Sequence, residues 1–255
     1  MELNLSERLK LIAEFVQPGD VIADIGTDHG YLPIWLIQNK IINKAIITDI
    51  NEGPLEKAAS NINKYLGTAD IDLRRGNGLE VLHVGESDTT VIAGMGGILI
   101  KKILTASPEV AKSNKAIILQ PRRDAALLRK YLINESEFKI VEERVAREKD
   151  RYSEIIVATS SENSVKESVR SRWMLAEALA EQSGLPDDFF YEFPKLYLCG
   201  NQSVADMIKF RLSGAFMIKD SIINKASTPE SKTKLKKIEN RIEQLKTFLA
   251  VGDWQ

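Results

Sequence analysis

The chain has 255 residues, 44% hydrophobic and 28% charged, the balance of a soluble globular protein with room for one large domain or one domain and an appendage. Its single cysteine, Cys199, excludes a disulfide framework and a cysteine-rich zinc site and fits a reducing compartment. The net charge of −1 advertises no nucleic-acid partner, no uninterrupted apolar run reaches the ~18 residues of a membrane span, and the opening MELNLSERLK lacks the apolar core of a secretion signal, so a cytoplasmic protein is expected.

Leu5, Leu9, Ile12 and Phe15 or Val16 recur at helical spacing, with Ser6 placed to cap the first turn and Pro18-Gly19-Asp20 to end the helix. Strand-like and helix-like segments then alternate. The strands are VIADI (21–25), KAIITDI (44–50), DIDLRRG (70–76), TTVIAG (89–94) and AIILQP (116–121), with helices near 32–39, 53–66, 97–106 and 124–134. That rhythm predicts a doubly wound, mostly parallel sheet covered by helices on both faces. FKIVEERVAR (138–147) and YSEIIVAT (152–159) are separated only by Glu148 to Arg151. So short a connection demands an antiparallel hairpin. The expectation is therefore a Rossmann-like, seven-stranded α/β sheet ending in that hairpin, over residues 1–160.

SSENS (160–164) reads as a linker, and residues 161–255 as a separate all-α domain. Val165, Val169, Trp173, Ala176 and Leu179 or Ala180 mark one helix, ended by Gly184 and Pro186. Val204, Ile208, Leu212, Ala215, Ile218 and Ile222 mark a second. Thr228-Pro229 starts a third, with Ser227 and Glu230 able to form a capping box. Its Leu235, Ile238, Ile242, Leu245 and Leu249 step by three and four, as in a coiled-coil seam.

In a doubly wound sheet, ligands bind beyond the carboxyl ends of the strands. The first strand ends in Asp24, Gly26, Thr27, Asp28, His29 and Gly30. The glycines let the backbone turn tightly and approach a ligand. The spacing is Asp-x-Gly-x-x-x-Gly, not the Gly-x-Gly-x-x-Gly of a dinucleotide fold. A carboxylate stands where a pyrophosphate would lie, so a cationic ligand, or one with amines and hydroxyls, suits the turn. Asp49, 25 residues beyond Asp24, can accept both hydrogen bonds of a ribose diol, with Ile50 beside it. Asn77 and Gly78 end the third strand, where an amide can read an adenine edge. Ala93, Gly94, Met95, Gly96 and Gly97 end the fourth, where the glycines imply close backbone approach to something flat or bulky. Together these ends describe an adenosine carrying a charged amino-acid tail, which S-adenosylmethionine fits. NAD, FAD or acidic ends that are merely solvated are the competing readings.

Blander roles stand beside these. Asp24 can cap its own turn, Asp28 can cap the helix beginning near Tyr31, and His29 can be a structural hydrogen-bonder. His83 reads as surface and Cys199 as core. No Asn-Pro-Pro-Tyr motif, by which many enzymes hold an exocyclic amine for methylation, is present. No His/Cys/carboxylate cluster points to a metal.

The charge is unevenly distributed, and ordinary surface charge is its plain reading. Residues 1–100 carry 8 Lys and Arg against 14 Asp and Glu, residues 101–151 carry 13 against 8, and residues 161–255 carry 14 against 13. The near-neutral total hides an acidic first part and a basic stretch after it.

LSERLKLIAEFV, ADIGTDHGYLP, IITDINEGPL, RRGNGLEVL and IAGMGG, in this order, resemble the bacterial tRNA adenine-22 N1-methyltransferase family over residues 3 to 160. The helical tail is similar in kind to the family's C-terminal coiled-coil domain. The resemblance implies a class I methyltransferase fold, S-adenosylmethionine as donor and tRNA as acceptor. Two positions depart from the family pattern. Arg122 stands where the fifth strand would end Leu-Gln-Pro-Asn, and Asn77 replaces an Asp between two glycines. The second keeps an acceptor; the first puts a cation near where the target base is expected.

The implied reaction is methyl transfer to a ring nitrogen that already carries an in-plane lone pair, so alignment does most of the work. The product base is cationic, and a carboxylate near its exocyclic amine would stabilise it. Asp28 is the candidate, with Tyr31 positioning or stacking on the base and Met95 walling the pocket. The candidates for tRNA phosphates are Lys101, Lys102, Arg122, Arg123, Arg129, Lys130, Lys232, Lys234, Lys236 and Lys237. A small-molecule methyltransferase and a non-catalytic S-adenosylmethionine-binding RNA- or partner-binding protein are the rival readings. The sequence leaves the oligomeric state open, with a monomer favoured.

Overall fold

A computed structural model of the chain describes residues 2–27, 29–160, 167–224 and 228–254. The chain forms two compact units, Met1–Lys166 and Glu167–Gln255.

The first unit opens with α1 (Glu7–Ala13), where Ser6 caps the helix by accepting from the Leu9 amide. Strands β1 (Val21–Ile25), β2 (Lys44–Asp49), β3 (Asp70–Arg75), β4 (Thr89–Gly96), β5 (Ala116–Arg123), β6 (Lys139–Glu148) and β7 (Arg151–Thr159) form one sheet in the order β3-β2-β1-β4-β5-β7-β6. β1 to β5 pair in parallel. β7 runs antiparallel to both β5 and β6, as the two-residue connection Lys149-Asp150 requires. The central strands read as unbroken apolar runs because helices cover both faces: Ile22, Ile46, Val91 and Ile118 are all fully buried. The helices are α2 (Tyr31–Gln38), α3 (Glu52–Leu66), α4 (Gly97–Ala106), α5 (Pro108–Lys112) and α6 (Ala125–Asn134). Pro33 falls in the first turn of α2, where its missing N–H would have no intrahelical partner anyway. The sheet reverses its winding between β1 and β4, which is the position where such folds open a ligand crevice.

Several expectations need adjustment. β4 and β5 each run two residues further than the periodicity indicates, through Gly96 and Arg123. α5 was not anticipated, being a single turn and a half started by Pro108. In the expected linker, Ser160 donates a hydrogen bond to the Lys112 carbonyl at 2.7 Å, and 161–164 lie outside the described residues.

The second unit comprises α7 (Glu167–Ser183), α8 (Phe189–Glu192), a 3₁₀ turn (Lys195–Cys199), α9 (Gln202–Ile223) and α10 (Pro229–Val251). α9 packs on α10, tied by Lys219–Glu239 at 2.8 Å. Its core is aromatic. Phe189, Phe193 and Phe248 cluster with ring centroids 5.2 to 6.1 Å apart, and the Arg241 guanidinium lies over two of the rings. The seam expected on α10 is displaced by one residue at its end: Phe248 is buried and Leu249 only partly so. Trp173 and Ile218, expected on apolar faces, are exposed. Cys199 is half-buried. Val165 and Ser227 lie outside the described residues, and the N-cap of α10 is Thr228, which accepts from the Ser231 amide.

Candidate functional site

The carboxyl ends of β1 to β4 hold the described residues singled out from the sequence for the donor. Asp24, only 7% exposed, accepts a 2.7 Å hydrogen bond from the Thr27 hydroxyl, which in turn accepts from the Gly30 amide at 2.9 Å. Asp24 thus orders its own turn, and Thr27 is the link. Gly26 has φ +71 and donates its amide to the Thr48 carbonyl at 2.8 Å. A β-carbon there would lie 2.0 Å from the Met95 methyl, so glycine is required both by the backbone and by the thioether resting on it. His29 also has a positive φ, +63, which costs strain in a non-glycine residue. Its carbonyl accepts from Asn61 Nδ2 at 3.0 Å, and its ring meets Tyr31 edge to face at 5.8 Å. Asp28 lies outside the described residues.

At the end of β2, one oxygen of Asp49, Oδ1, accepts the Asn51 amide at 2.8 Å. Among the described residues the other oxygen has no hydrogen-bond partner. Ile50 beside it is exposed. After β3, Asn77 uses its Nδ2 on Glu80 at 2.7 Å, which leaves its Oδ1 and the second Nδ2 hydrogen for a ligand. Gly78 packs on Ile103, where a β-carbon would come within 2.8 Å.

The last turn of β4 is irregular. The β4–β5 register shifts between Ala93 and Met95 and again between Met95 and Gly96, and Gly94 sits at the centre with φ +79. Its amide donates to the Gln120 side-chain oxygen at 3.0 Å. Ala93 to Gly96 are half-buried, where the preceding strand is fully buried: the bulge turns this backbone toward the crevice. Gln120 had no role assigned from the sequence. A polar amide inside the run AIILQP was the available signal, since a buried amide needs partners.

The cations divide. Lys102, Arg122 and Lys130 are exposed in the first unit, and Lys232, Lys236 and Lys237 in the second; Arg123 is exposed too and lies 3.7 Å from Asp124. Lys101 pairs with Glu135 at 2.6 Å and lies over the Tyr131 ring, and Lys234 pairs with Glu230 at 2.7 Å. Arg129 is a correction. It is fully buried, between Glu143 at 2.7 Å and Glu154 at 2.5 Å, and reaches no phosphate. Burial pushes the Glu143 carboxyl up to about 7, against the pull of Arg129. His83 is on the surface. Among the described residues, no cluster of three or more His, Cys, Asp or Glu could hold a metal ion, and no helix is long and apolar enough to cross a membrane.

A family model for a methyltransferase domain matches residues 5–156. The tRNA (adenine(22)-N(1))-methyltransferase of Bacillus subtilis strain 168 is 32% identical over 98% of this chain and 99% of its own length. The chain belongs to the tRNA (adenine-22 N1)-methyltransferase family. The crystal structure of the B. subtilis m1A22 tRNA methyltransferase superposes with TM-score 0.74 at 30% identity, covering 97% of this chain and all of that one. A M. capricolum homologue solved with S-adenosyl-homocysteine superposes at 0.73, with 26% identity over 98% of this chain and 99% of its own. The similarity spans both units, so the helical unit is part of what this methyltransferase family shares.

Proposed function

We infer that this chain transfers a methyl group from S-adenosylmethionine to N1 of adenine 22 in tRNA. The observation that carries the reading is the convergence, at one sheet edge, of Asp24, Asp49, Asn77 and the Gly94 bulge in a chain similar over 98% of its length to an enzyme named for that reaction. The residues present fit the donor. Gly26 is roofed by Met95 rather than by a side chain of its own. The Asp49 oxygen without a partner among the described residues suits a ribose hydroxyl, and the carboxylate edge suits a cation and opposes a phosphate. The donor, when bound, supplies an electrophilic methyl group.

The chain's own residues then hold and align. Asp49 and Ile50 take the ribose, and Asn77 and Gly78 the adenine. Asp24, Gly26, Thr27, His29 and Gly30 shape the turn beneath the amino-acid tail. Ala93, Gly94, Met95 and Gly96 form the wall between donor and target base. Asp28 and Tyr31 act on the acceptor: the carboxylate stabilises the cation that N1-methylation leaves, and the ring positions the base. Exposed Lys102, Arg122, Arg123 and Lys130, with Lys232, Lys236 and Lys237 of the helical unit, meet tRNA phosphates. The proposed setting is the cytoplasm, and the working form a monomer.

The test incubates purified protein with labelled S-adenosylmethionine and, separately, an unmodified tRNA transcript, the same transcript with adenine 22 replaced by guanine, and a metabolite pool. Label in the first alone, with reverse transcription stopping at position 22 because the methyl group blocks the pairing edge, is the expected result. Label in the metabolite pool, or nowhere, overturns the reading.

Asp49→Ala is expected to weaken donor binding by about 1–3 kcal/mol through loss of charge-assisted hydrogen bonds. Calorimetry showing parental affinity in a folded variant would remove Asp49 from the site. Deleting 161–255 is expected to leave a folded unit that binds donor but holds tRNA poorly, since the sheet is complete at β7. Aggregation of the truncated chain, seen by size exclusion, would count against that boundary.

A further inference from the structure

We propose that Arg8 is a positioning residue for methyl transfer: acting through Gln120, it holds the Gly94 bulge in the shape that keeps Met95 against Gly26. The inference rests on the methyltransferase reading above and concerns a part of the chain, α1, that contributes none of the residues assigned to the site.

The observations form a short chain of contacts. Gln120, 3% exposed, uses its side-chain oxygen for two donors, the Gly94 amide at 3.0 Å and Arg8 Nη1 at 3.2 Å. Its Nε2 donates to the Pro121 carbonyl at 3.2 Å. Arg8 is itself fixed. Its backbone amide donates to Glu148 Oε1 at 3.1 Å, and α1 is anchored by buried Leu9, Ile12 and Ala13. Arg8 and Gln120, 112 residues apart in the chain, therefore meet behind the irregular turn of β4.

The chemistry explains why a guanidinium belongs there. A side-chain amide has two orientations that differ only in which end carries the donors. With oxygen toward Gly94, the bulge amide is satisfied. With the NH₂ group there, donor faces donor, the Gly94 amide loses its partner, and the bulge loses the bond that closes it. Arg8 has donors and no acceptor, so its approach is compatible with the first orientation alone, and as a charged donor it makes the stronger kind of hydrogen bond. A glycine at 94, here at φ +79, is free to adopt other turns, so the bond that its amide donates to Gln120 is what selects this one. Met95 follows directly, and its methyl group occupies the space over Gly26 that a β-carbon would need. Loosening the amide therefore displaces the wall between donor and acceptor while leaving Asp49 and the β2 and β3 ends untouched.

The experiment uses the full chain labelled with methyl-¹³C methionine. It has five methionines, and Met95→Leu assigns the Met95 signal. Arg8→Leu is expected to shift or broaden that signal, and Arg8→Lys, which keeps one charged donor, to restore it. In single-turnover methylation of the tRNA transcript, Arg8→Leu is expected to be slower by about tenfold or more, because small displacements of aligned groups are costly. Its donor affinity should stay within about twofold of the parent, and Arg8→Lys should recover part of the rate. Arg8→Leu added to Gln120→Leu should cost little more than Gln120→Leu alone, since both remove one interaction. An unmoved Met95 signal, equal rates for the leucine and lysine variants, or full additivity with Gln120→Leu overturns the proposal. Arg8→Ala replaces the leucine variant if the latter does not fold. A parent protein that methylates no tRNA overturns the functional reading instead, and the Met95 signal still decides the contact.

Discussion

Replacing Arg129 with leucine is expected to destabilise the first unit by about 3–5 kcal/mol, the range for breaking one side of a buried ion pair. Arg129 is fully buried on α6, and its partners come from the two strands of the terminal hairpin, Glu143 on β6 and Glu154 on β7. Removing the guanidinium leaves Glu143 buried in an apolar setting with like charge from Glu154 and Glu142 nearby. The loss should depend on pH, and its sign follows from the carboxyl. Glu143 in the folded parent titrates near 7, above the ordinary 4.5, and without Arg129 it titrates higher still. A carboxyl raised on folding contributes stability below its unfolded pKa and loses it as pH rises through the folded one. The parent stops losing stability near 7, whereas the variant continues to lose it beyond. The difference between them should be smallest near pH 4.5 and grow toward pH 9. Urea unfolding followed by Trp35 fluorescence, in a background with Trp173 and Trp254 changed to phenylalanine, reads it directly. A difference that is flat with pH, or below about 1 kcal/mol throughout, would mean that the triad is not what holds α6 to the hairpin.

That same residue shows where the sequence stops being legible. The strands and their order class follow from alternation, because each central strand is apolar on both faces and each helix is punctuated by Gly, Pro or a cap. The antiparallel ending follows from a connection too short for anything else. Arg129 read as a surface cation because charged side chains are seldom fully buried. Its position one after Leu128 and three before Leu132, both buried on α6, was a usable hint. Its partners were not visible, since a register shift between Ile140 and Glu142 moves the alternation of β6 by one residue and turns Glu143 inward. The extra residues of β4 and β5 were hidden for a related reason: Met95-Gly96 and Arg122-Arg123 have turn-like or exposed chemistry and are held in the sheet by pairing between the two strands.

Within the site, the residues legible from the sequence are those whose type is tied to backbone geometry or to ligand chemistry: Gly26 under Met95, Asp49 at a strand end, Gly94 in a bulge. Gln120 and Arg8 were not legible as a pair. Their contact joins α1 to β5, and a hydrogen bond across 112 residues leaves no spacing signature in the chain. Lys101 and Lys234 were ambiguous in another way. Each is an exposed-looking cation whose carboxylate partner is at the end of an adjacent helix or one turn away, so the distinction between a phosphate ligand and a satisfied surface pair needs coordinates.

Asp28→Asn is expected to lower the single-turnover rate of tRNA methylation by about 10²-fold or more, corresponding to about 2.7 kcal/mol of transition-state stabilisation. The substitution keeps shape and removes charge. Donor binding should be nearly parental, because Asp49, Asn77 and the Asp24–Thr27–Gly30 turn are all left in place. tRNA binding should also be nearly parental, since the change adds no bulk at the acceptor. The loss belongs to the step in which positive charge appears on the base, and an interaction made mainly there registers in the rate at saturating donor and not in either affinity. The ring nitrogen needs no base to become nucleophilic, so the pH profile of the variant should keep the parental shape at a lower level. If donor affinity collapses while the single-turnover rate at saturating donor is unchanged, Asp28 is a donor ligand. The polar turn after β1 would then serve binding alone, and the carboxylate that stabilises the methylated base would have to be sought elsewhere.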